Sequence, residues 1–478
     1  NTKLLCCQGS SVTDATVIAT GSITSASHAT NTPQASTDSP FYDSGQFVFG
    51  EGKDQQIIAC GSHKHDSTDA VRIYTGWEPE FVMCKNTEST SDWLALDTIR
   101  GATASGLGAY SDGQYIAWNS DGGENAAATF TPHADGFTLQ YALTAANPGN
   151  GDKIVWMAIR RPDGGVRKPV TNGHSVFALA KGRDTTEPAS NYVSNFPVDM
   201  GWHRLFGSTS FPALVARIMG GKYLRTDDTT GQDNASWATF DRNTAYITNN
   251  QDDTHMAWIW NRHAGFDCQT FLGNSVAGRG IPHSLGQVPQ MVWVKQRTSS
   301  TDWMVYHYGL NGGTNPEQYY QSLTQTNSDA DDATVWNDTA PTSTHVIVGS
   351  HNNVNNNGEE LIMMCFASVD GVCKVGYYGG SDSDINLDLG FSPRFVLIKR
   401  CDWTHANAHW YYFDTMRGIN GSSGNDPYLL MDSNEAPTTN ENRIEPYSSG
   451  SEIGITIKTQ MSGTNYEAGE RFIYYAHA

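Results

Sequence analysis

Apolar residues in this chain come in short runs, separated by turns rich in Asn, Gly, Ser, Thr and Asp. One run recurs at long range: a Pro, then Phe81-Val-Met-Cys-Lys85, Met291-Val-Trp-Val-Lys295 or Phe395-Val-Leu-Ile-Lys-Arg400. From Pro79, Pro289 and Pro393 to the Lys is six residues each time. A Trp follows eight, eight and eleven residues later (Trp93, Trp303, Trp410), and four residues on stands Asp97, His307 or Asp414. A fourth copy is eroded, with Pro197, His203 for the Lys and Phe211 for the Trp. A unit repeated along the chain is the signature of a tandem array.

A second run is near-continuously apolar: Lys153-Ile-Val-Trp-Met-Ala-Ile159, Thr254-His-Met-Ala-Trp-Ile-Trp260, Glu360-Leu-Ile-Met-Met-Cys-Phe366 and Arg471-Phe-Ile-Tyr-Tyr-Ala476, with Gln56-Ile-Ile-Ala-Cys60 read as a further copy. Such runs suit central strands covered on both faces. A third run ends near glycine: Ser175-Val-Phe-Ala-Leu179, Gln269-Thr-Phe-Leu-Gly273, Lys374-Val-Gly-Tyr-Tyr378 and, in this reading, Val71-Arg-Ile-Tyr-Thr75. Helical periodicity is nearly absent; only 212–224 could hold a short helix, ended by Gly220-Gly221.

The four Pro positions are 118, 92 and 104 residues apart, which suits two-sheet units of about 100 residues. The fold class expected is all-β, as tandem β-sandwich (jelly-roll or concanavalin-like) units. The expected domains are an N-terminal arm plus partial β unit at 1–60, then sandwiches at 61–165, 166–276 (divergent), 277–379 and 380–478. The arm, with Leu4-Leu5 and Cys6-Cys7, is too apolar to stand free, so its strands should add to a sheet edge in this or another chain.

Composition narrows the functions. With 30 Lys plus Arg against 50 Asp plus Glu, the net charge is −20. That excludes non-specific binding to nucleic acid or anionic membrane, which needs clustered cations. The eight cysteines lack metal or redox spacing and read as buried free thiols, folded in a reducing cytoplasm. No apolar run reaches membrane-spanning length and no leader peptide is recognisable. The chain starts at Asn1 rather than Met, so a processed chain or a piece of a longer one is expected.

Candidate chemistry is sparse. Lys85, Lys295 and Lys399 read as strand-end lysines with stems on the sheet and ammoniums in water. Asp97 and Asp414 are placed to pair with Arg100 and Arg417. Trp93, Trp303, Trp410 and Phe211 are expected at equivalent buried positions. The Asp-rich turns 327–332 and 381–384 lack a calcium-loop pattern, and His63-Lys-His65-Asp66 reads as a solvated turn. Ser111-Asp-Gly-Gln-Tyr-Ile-Ala-Trp118 only faintly resembles a sialidase-type Asp box. No paired-carboxylate strand, GxSxG, HExxH or P-loop occurs. The expectation is therefore a non-enzyme with no catalytic, cofactor-binding or metal residues and no cofactor.

Several strings carry a family resemblance: Ser284-Leu-Gly-Gln-Val-Pro-Gln-Met-Val-Trp-Val-Lys295, Trp303-Met-Val-Tyr-His307, Ala340-Pro-Thr-Ser343, Cys365-Phe-Ala-Ser-Val369 and Gly390-Phe-Ser-Pro-Arg-Phe-Val-Leu-Ile-Lys-Arg400. Together with Lys3-Leu-Leu-Cys-Cys-Gln8 and Arg160-Arg-Pro-Asp-Gly164, they resemble the tandem β-rich tail-fibre-like and other structural virion proteins of marine tailed bacteriophages, including cyanophages. The resemblance implies a virion protein assembled in the host cytoplasm, on a tail fibre or appendage that mediates host attachment. It implies as partners other virion proteins, copies of itself in a homo-oligomer such as a trimer, and a host-surface glycan or protein, with no nucleic acid and no membrane insertion. It brings no site residues. Two rival readings are a capsid or tail decoration or assembly protein without a receptor, and, less favoured, a polysaccharide-active enzyme.

Overall fold

The structure is a computed structural model. It describes the strands Tyr42–Asp43 and Phe47–Val48, then 57–478 apart from 66–70, 99–113, 127–129, 140–148, 162–171, 183–191, 195, 206, 236–237, 243–244, 249–253, 263–264 and 420–424. The arm at 1–40 and its expected sheet addition lie outside the described residues, as do Arg100 and Asp66. The protein is all-β, and every strand pair is antiparallel.

Four units share one topology. In each, a lead strand (Ile58–Lys64, Phe177–Lys181, Phe266–Leu272, Cys373–Gly379) pairs with the unit's last strand (Lys153–Arg160, His255–Trp260, Glu360–Phe366, Arg471–His477). The last strand pairs on its other side with the recurring strand after the Pro (Pro79–Asn86, Met200–Leu205, Met291–Gln296, Phe395–Arg400). A hairpin strand follows (Leu94–Asp97, Ala213–Ala216, Met304–His307, Trp410–Asp414), then an outer strand (Gln114–Ala117, Lys222–Arg225, Tyr319–Ser322, Tyr428–Leu430). A small sheet of two or three strands covers one face, for example Ile385–Asp388, Glu452–Ile457 and Ile444–Ser449 in the fourth unit.

Pairing corrects three sequence assignments. Ile58–Lys64 is the lead strand of the first unit, not a copy of the near-continuous last strand. Val71–Tyr74 belongs to the small sheet, not with the strands at 177, 266 and 373. The strands Phe266–Leu272 and Cys373–Gly379 pair into the sheet of the unit that follows them. Residues 212–224 form a strand hairpin with one 3-10 turn at Arg217–Met219; Gly220, at φ 63°, turns the chain before a helix can propagate.

The recurring strands are apolar on both faces because both are covered. Val292 and Val294 face the small sheet of their unit, as do Val396 and Ile398 in the fourth. Met291, Trp293, Phe395 and Leu397 point the other way, into a single core shared with Met200 and Trp202 of the second unit. The second, third and fourth units thus pack their large sheets against one another. Trp202 stacks on Trp293 at 6.1 Å, Trp258 meets Tyr412 edge-on at 5.1 Å, and Phe366 lies 5.1 Å from Tyr475. Each buried Trp removes roughly 200 Å² from water. At about 25 cal/mol per Å² that contributes at most ~5 kcal/mol apiece.

Hydrogen bonds close these three units into a ring. Trp303 of the third unit donates its indole N–H to Arg225 O of the second at 2.8 Å. Trp410 of the fourth donates to Ser322 O of the third at 2.9 Å. Arg204 of the second donates to Leu430 O of the fourth at 2.9 Å. All three acceptors are the last residue of an outer strand. A head-to-tail contact that returns to its start after three steps is a closed heterologous ring. Among the described residues, no helix is long and apolar enough to cross a membrane.

Candidate functional site

Two of the three recurring lysines, Lys295 and Lys399, do not reach water. Lys295 is fully buried; its Nζ donates to Thr301 O at 2.9 Å, to Ser299 O at 3.4 Å and to Thr229 O of the second unit at 3.1 Å. Lys399, also fully buried, donates to Ala408 O and to Asn327 O of the third unit. Burial pushes both ammoniums down to about 8. The snorkelling expectation fails because a neighbouring unit roofs the strand end. Lys85 is half-buried and bonds only its own hairpin loop, at Asn86 O, Ser89 O and Ser91 Oγ.

Trp303 and Trp410 are buried as expected, but Trp93 is 39 % exposed and Phe211 40 % exposed. Pairing of Met200 with Ala216, where Met291 pairs with His307, puts Pro212 rather than Phe211 at the Trp position, and Arg204 rather than His203 at the Lys position. The second unit carries one extra residue between its Pro and its strand, and a one-residue slip moves a side chain to the other face. Arg204 then does the lysine's work, reaching the neighbouring unit's carbonyls.

Asp414 binds the Arg417 Nε at 2.6 Å in a buried pair. The acidic turns are occupied by protein partners: Asp329 pairs with Arg471 at 3.0 Å, Asp332 caps the helix Ala333–Trp336, and Asp384 pairs with Lys458 at 2.7 Å. Among the described residues, no three His, Cys, Asp or Glu side chains are grouped to hold a metal. His63 is pushed down to about 4 by burial and then by His65. Five of the described cysteines are buried free thiols, while Cys60 is exposed. Gln114–Ala117, within the Asp-box-like stretch, is simply the outer strand of the first unit.

The first unit stands outside the ring and docks on the third through groups that sequence reasoning missed. Glu78 accepts from both Arg262 Nη atoms, at 2.7 and 2.6 Å; Gln269 donates to it at 2.8 Å. Arg262 also binds Asp267 at 2.9 Å, and Arg161 donates to Arg262 O at 2.7 Å. Burial alone would raise Asp267, but Arg262 and Arg161 hold it below the usual carboxylate range. Arg161 and Arg262 hold corresponding places, two residues past Ile159 and Trp260, but Glu78, Asp267 and Gln269 have no counterpart in the other units, so no periodic signal could have flagged the joint.

Beside this joint lies a cleft of about 430 Å³ between the small sheet of the first unit and the third unit. Arg72, Tyr74 and His133 line one side; Phe271, Arg279 and His345 line the other. Tyr74 is 70 % exposed at the rim, with the Arg72 guanidinium 5.0 Å over its ring and paired to Asp135. Arg279 lies over Phe271 at 5.7 Å; burial and then Arg72 lower its pKa. His133 is pushed to about 3 by burial, then by Arg72 and Arg279, so it is a neutral donor-acceptor, bonded to Thr138 at 2.7 Å. The cleft offers two cations, an aromatic face and hydroxyl partners in an otherwise acidic chain.

No curated protein and no solved structure matches this chain. A family model described as a domain of unknown function, DUF7483, matches residues 10–161 and 216–478, leaving out only the start and the divergent stretch around the second unit's first strands. Since the match takes in the first unit and the last two units whole, the chain belongs to the DUF7483 family.

Proposed function

We propose that this protein is a structural component of a tailed-phage particle, carried on a fibre or appendage, and that it attaches the particle to a host-surface glycan by binding alone. The resemblance of the repeated strings to tail-fibre-like virion proteins supports the setting. The observation that carries the binding role is the cleft between the first and third units, with exposed Tyr74 beside Arg72 and Arg279. A sugar ring stacks on an aromatic face, and a guanidinium binds carboxylate or sulfate in the bidentate manner. Many copies on a particle would multiply a modest affinity per cleft.

Two measurements test this. Retention of the full chain on host-surface polysaccharide should fall at least about fivefold for Tyr74→Ser, since a stacked aromatic ring contributes on the order of 1 kcal/mol or more. Equal retention of variant and wild type would remove the cleft from the reading. Gold-labelled antibody on intact particles should mark the tip of a fibre; label spread over the shell would favour a decoration role.

A further inference from the structure

The face of the large sheet that the second, third and fourth units bury in their common core is turned to solvent in the first unit. Strand pairing places Met83 where Trp202, Trp293 and Leu397 stand. Those three are buried, whereas Met83 is half-buried. Its cross-strand neighbour Met157 stands where Trp258, Met364 and Tyr475 are buried, and it too is half-buried. Beyond Met157 comes exposed Cys60, at the position of buried Cys268.

The hairpin repeats the pattern. Trp93 holds the position of Trp303 and Trp410 but is 39 % exposed. The N–H of Trp118 donates to Trp93 O as Leu323 donates to Trp303 O and Met431 to Trp410 O. Leu323 and Met431 are buried in the ring core; Trp118 is 59 % exposed.

We propose that this face is an interface between copies of the same chain, three first units closing into a ring that repeats the internal one. The choice of occupant comes from the internal ring, where each unit supplies both halves of the contact. The first unit carries both halves: the Trp93 indole as donor, and Ala117 O at the place of Arg225 O, Ser322 O and Leu430 O. A foreign partner would call for only one half. The joint to the third unit uses Glu78 and the small sheet, which covers the opposite face, so docking leaves this one open. The inference stands on the repeat geometry and does not rest on the glycan reading.

Sedimentation equilibrium of the full chain should give three times the chain mass. The double variant Met83→Glu, Trp118→Glu should sediment as a single chain, with the wild-type far-ultraviolet spectrum showing that it is folded. Cys60 should resist maleimide in the wild type and react in the variant. A wild-type monomer or dimer overturns the proposal, as does a folded variant that stays trimeric. A wild-type monomer in which Cys60 is nevertheless protected also overturns it, because residues 1–57 of the same chain would then cover the face.

Discussion

Glu78 and Arg262, 184 residues apart in sequence, form a two-pronged ion pair at 2.7 and 2.6 Å that pins the first unit to the ring. Both are nearly removed from water. Without Glu78, Arg262 and Arg161 are left with Asp267 as the one carboxylate between them, and loss of one partner of a buried pair costs about 3–5 kcal/mol. Glu78→Ala should therefore release the first unit at lower urea than the remaining three, seen as an early step in the fluorescence of buried Trp77. A single transition within about 1 kcal/mol of wild type would contradict this.

The repeated tryptophans should differ in weight. Trp303→Ala and Trp410→Ala each remove a buried indole and a hydrogen bond between units, and should cost ~3–5 kcal/mol. Trp93→Ala, made in the Met83→Glu background, should cost less than about 1 kcal/mol because the ring is part-exposed there. Urea unfolding of the three variants checks the ranking, and equal losses would refute it.

Lys295 and Lys399 contribute to stability a part that rises with pH on the alkaline side. Their folded pKa is about 8 against an ordinary 10.5. Above pH 8 these two lysines hold more protons in the unfolded chain than in the folded one, so their contribution increases with pH, by at most about 1.4 kcal/mol per pH unit for each. Over pH 8 to 9.5 the buried thiols of Cys84, Cys268, Cys365, Cys373 and Cys401, all raised by burial, act in the opposite sense, because they ionise in the unfolded chain first, so the lysine contribution is read as the difference between wild type and a lysine variant. Replacing both lysines by Met should make the change of stability with rising pH less positive than in wild type; a slope unchanged in the double variant would show that the lysines do not contribute.

Acid should act through histidines held neutral. Burial pushes His203, His307 and His477 to about 3. In His307, Nδ1 accepts from Gly309 N at 3.0 Å, which leaves Nε2–H to donate to Tyr474 O of the fourth unit at 3.4 Å. Between pH 6.5 and 3 the unfolded chain binds the extra protons, so stability falls as pH falls through that range. His307→Asn should reduce the loss in urea midpoint between pH 7 and 4.5, and an identical loss would exclude His307 as a contributor.

The sheet content and the unit repeat were legible because strands covered on both faces leave long apolar runs at a fixed offset from Pro. Side-chain direction was less so. The extra residue after Pro197 shifted the second unit by one, which named His203 and Phe211 where the sheet uses Arg204 and Pro212. The lysine environment was illegible for a different reason: one unit alone would leave Lys295 and Lys399 in water, and only the carbonyls of the preceding unit bury them. The cleft and the Glu78 joint depend on contacts between units far apart in sequence, which local patterning does not encode.

The ring of the second, third and fourth units is written three times over in one gene product, so its axis need not be symmetric in chemistry. Trp202, Trp293 and Leu397 occupy one geometric slot with two indoles and one aliphatic chain. A substitution in any slot alters the axis once and can be answered by a change in another. At the corresponding place in the first unit, any change would be copied to every subunit of an assembly. Met83, with its pliant thioether, is a side chain that tolerates meeting its own image.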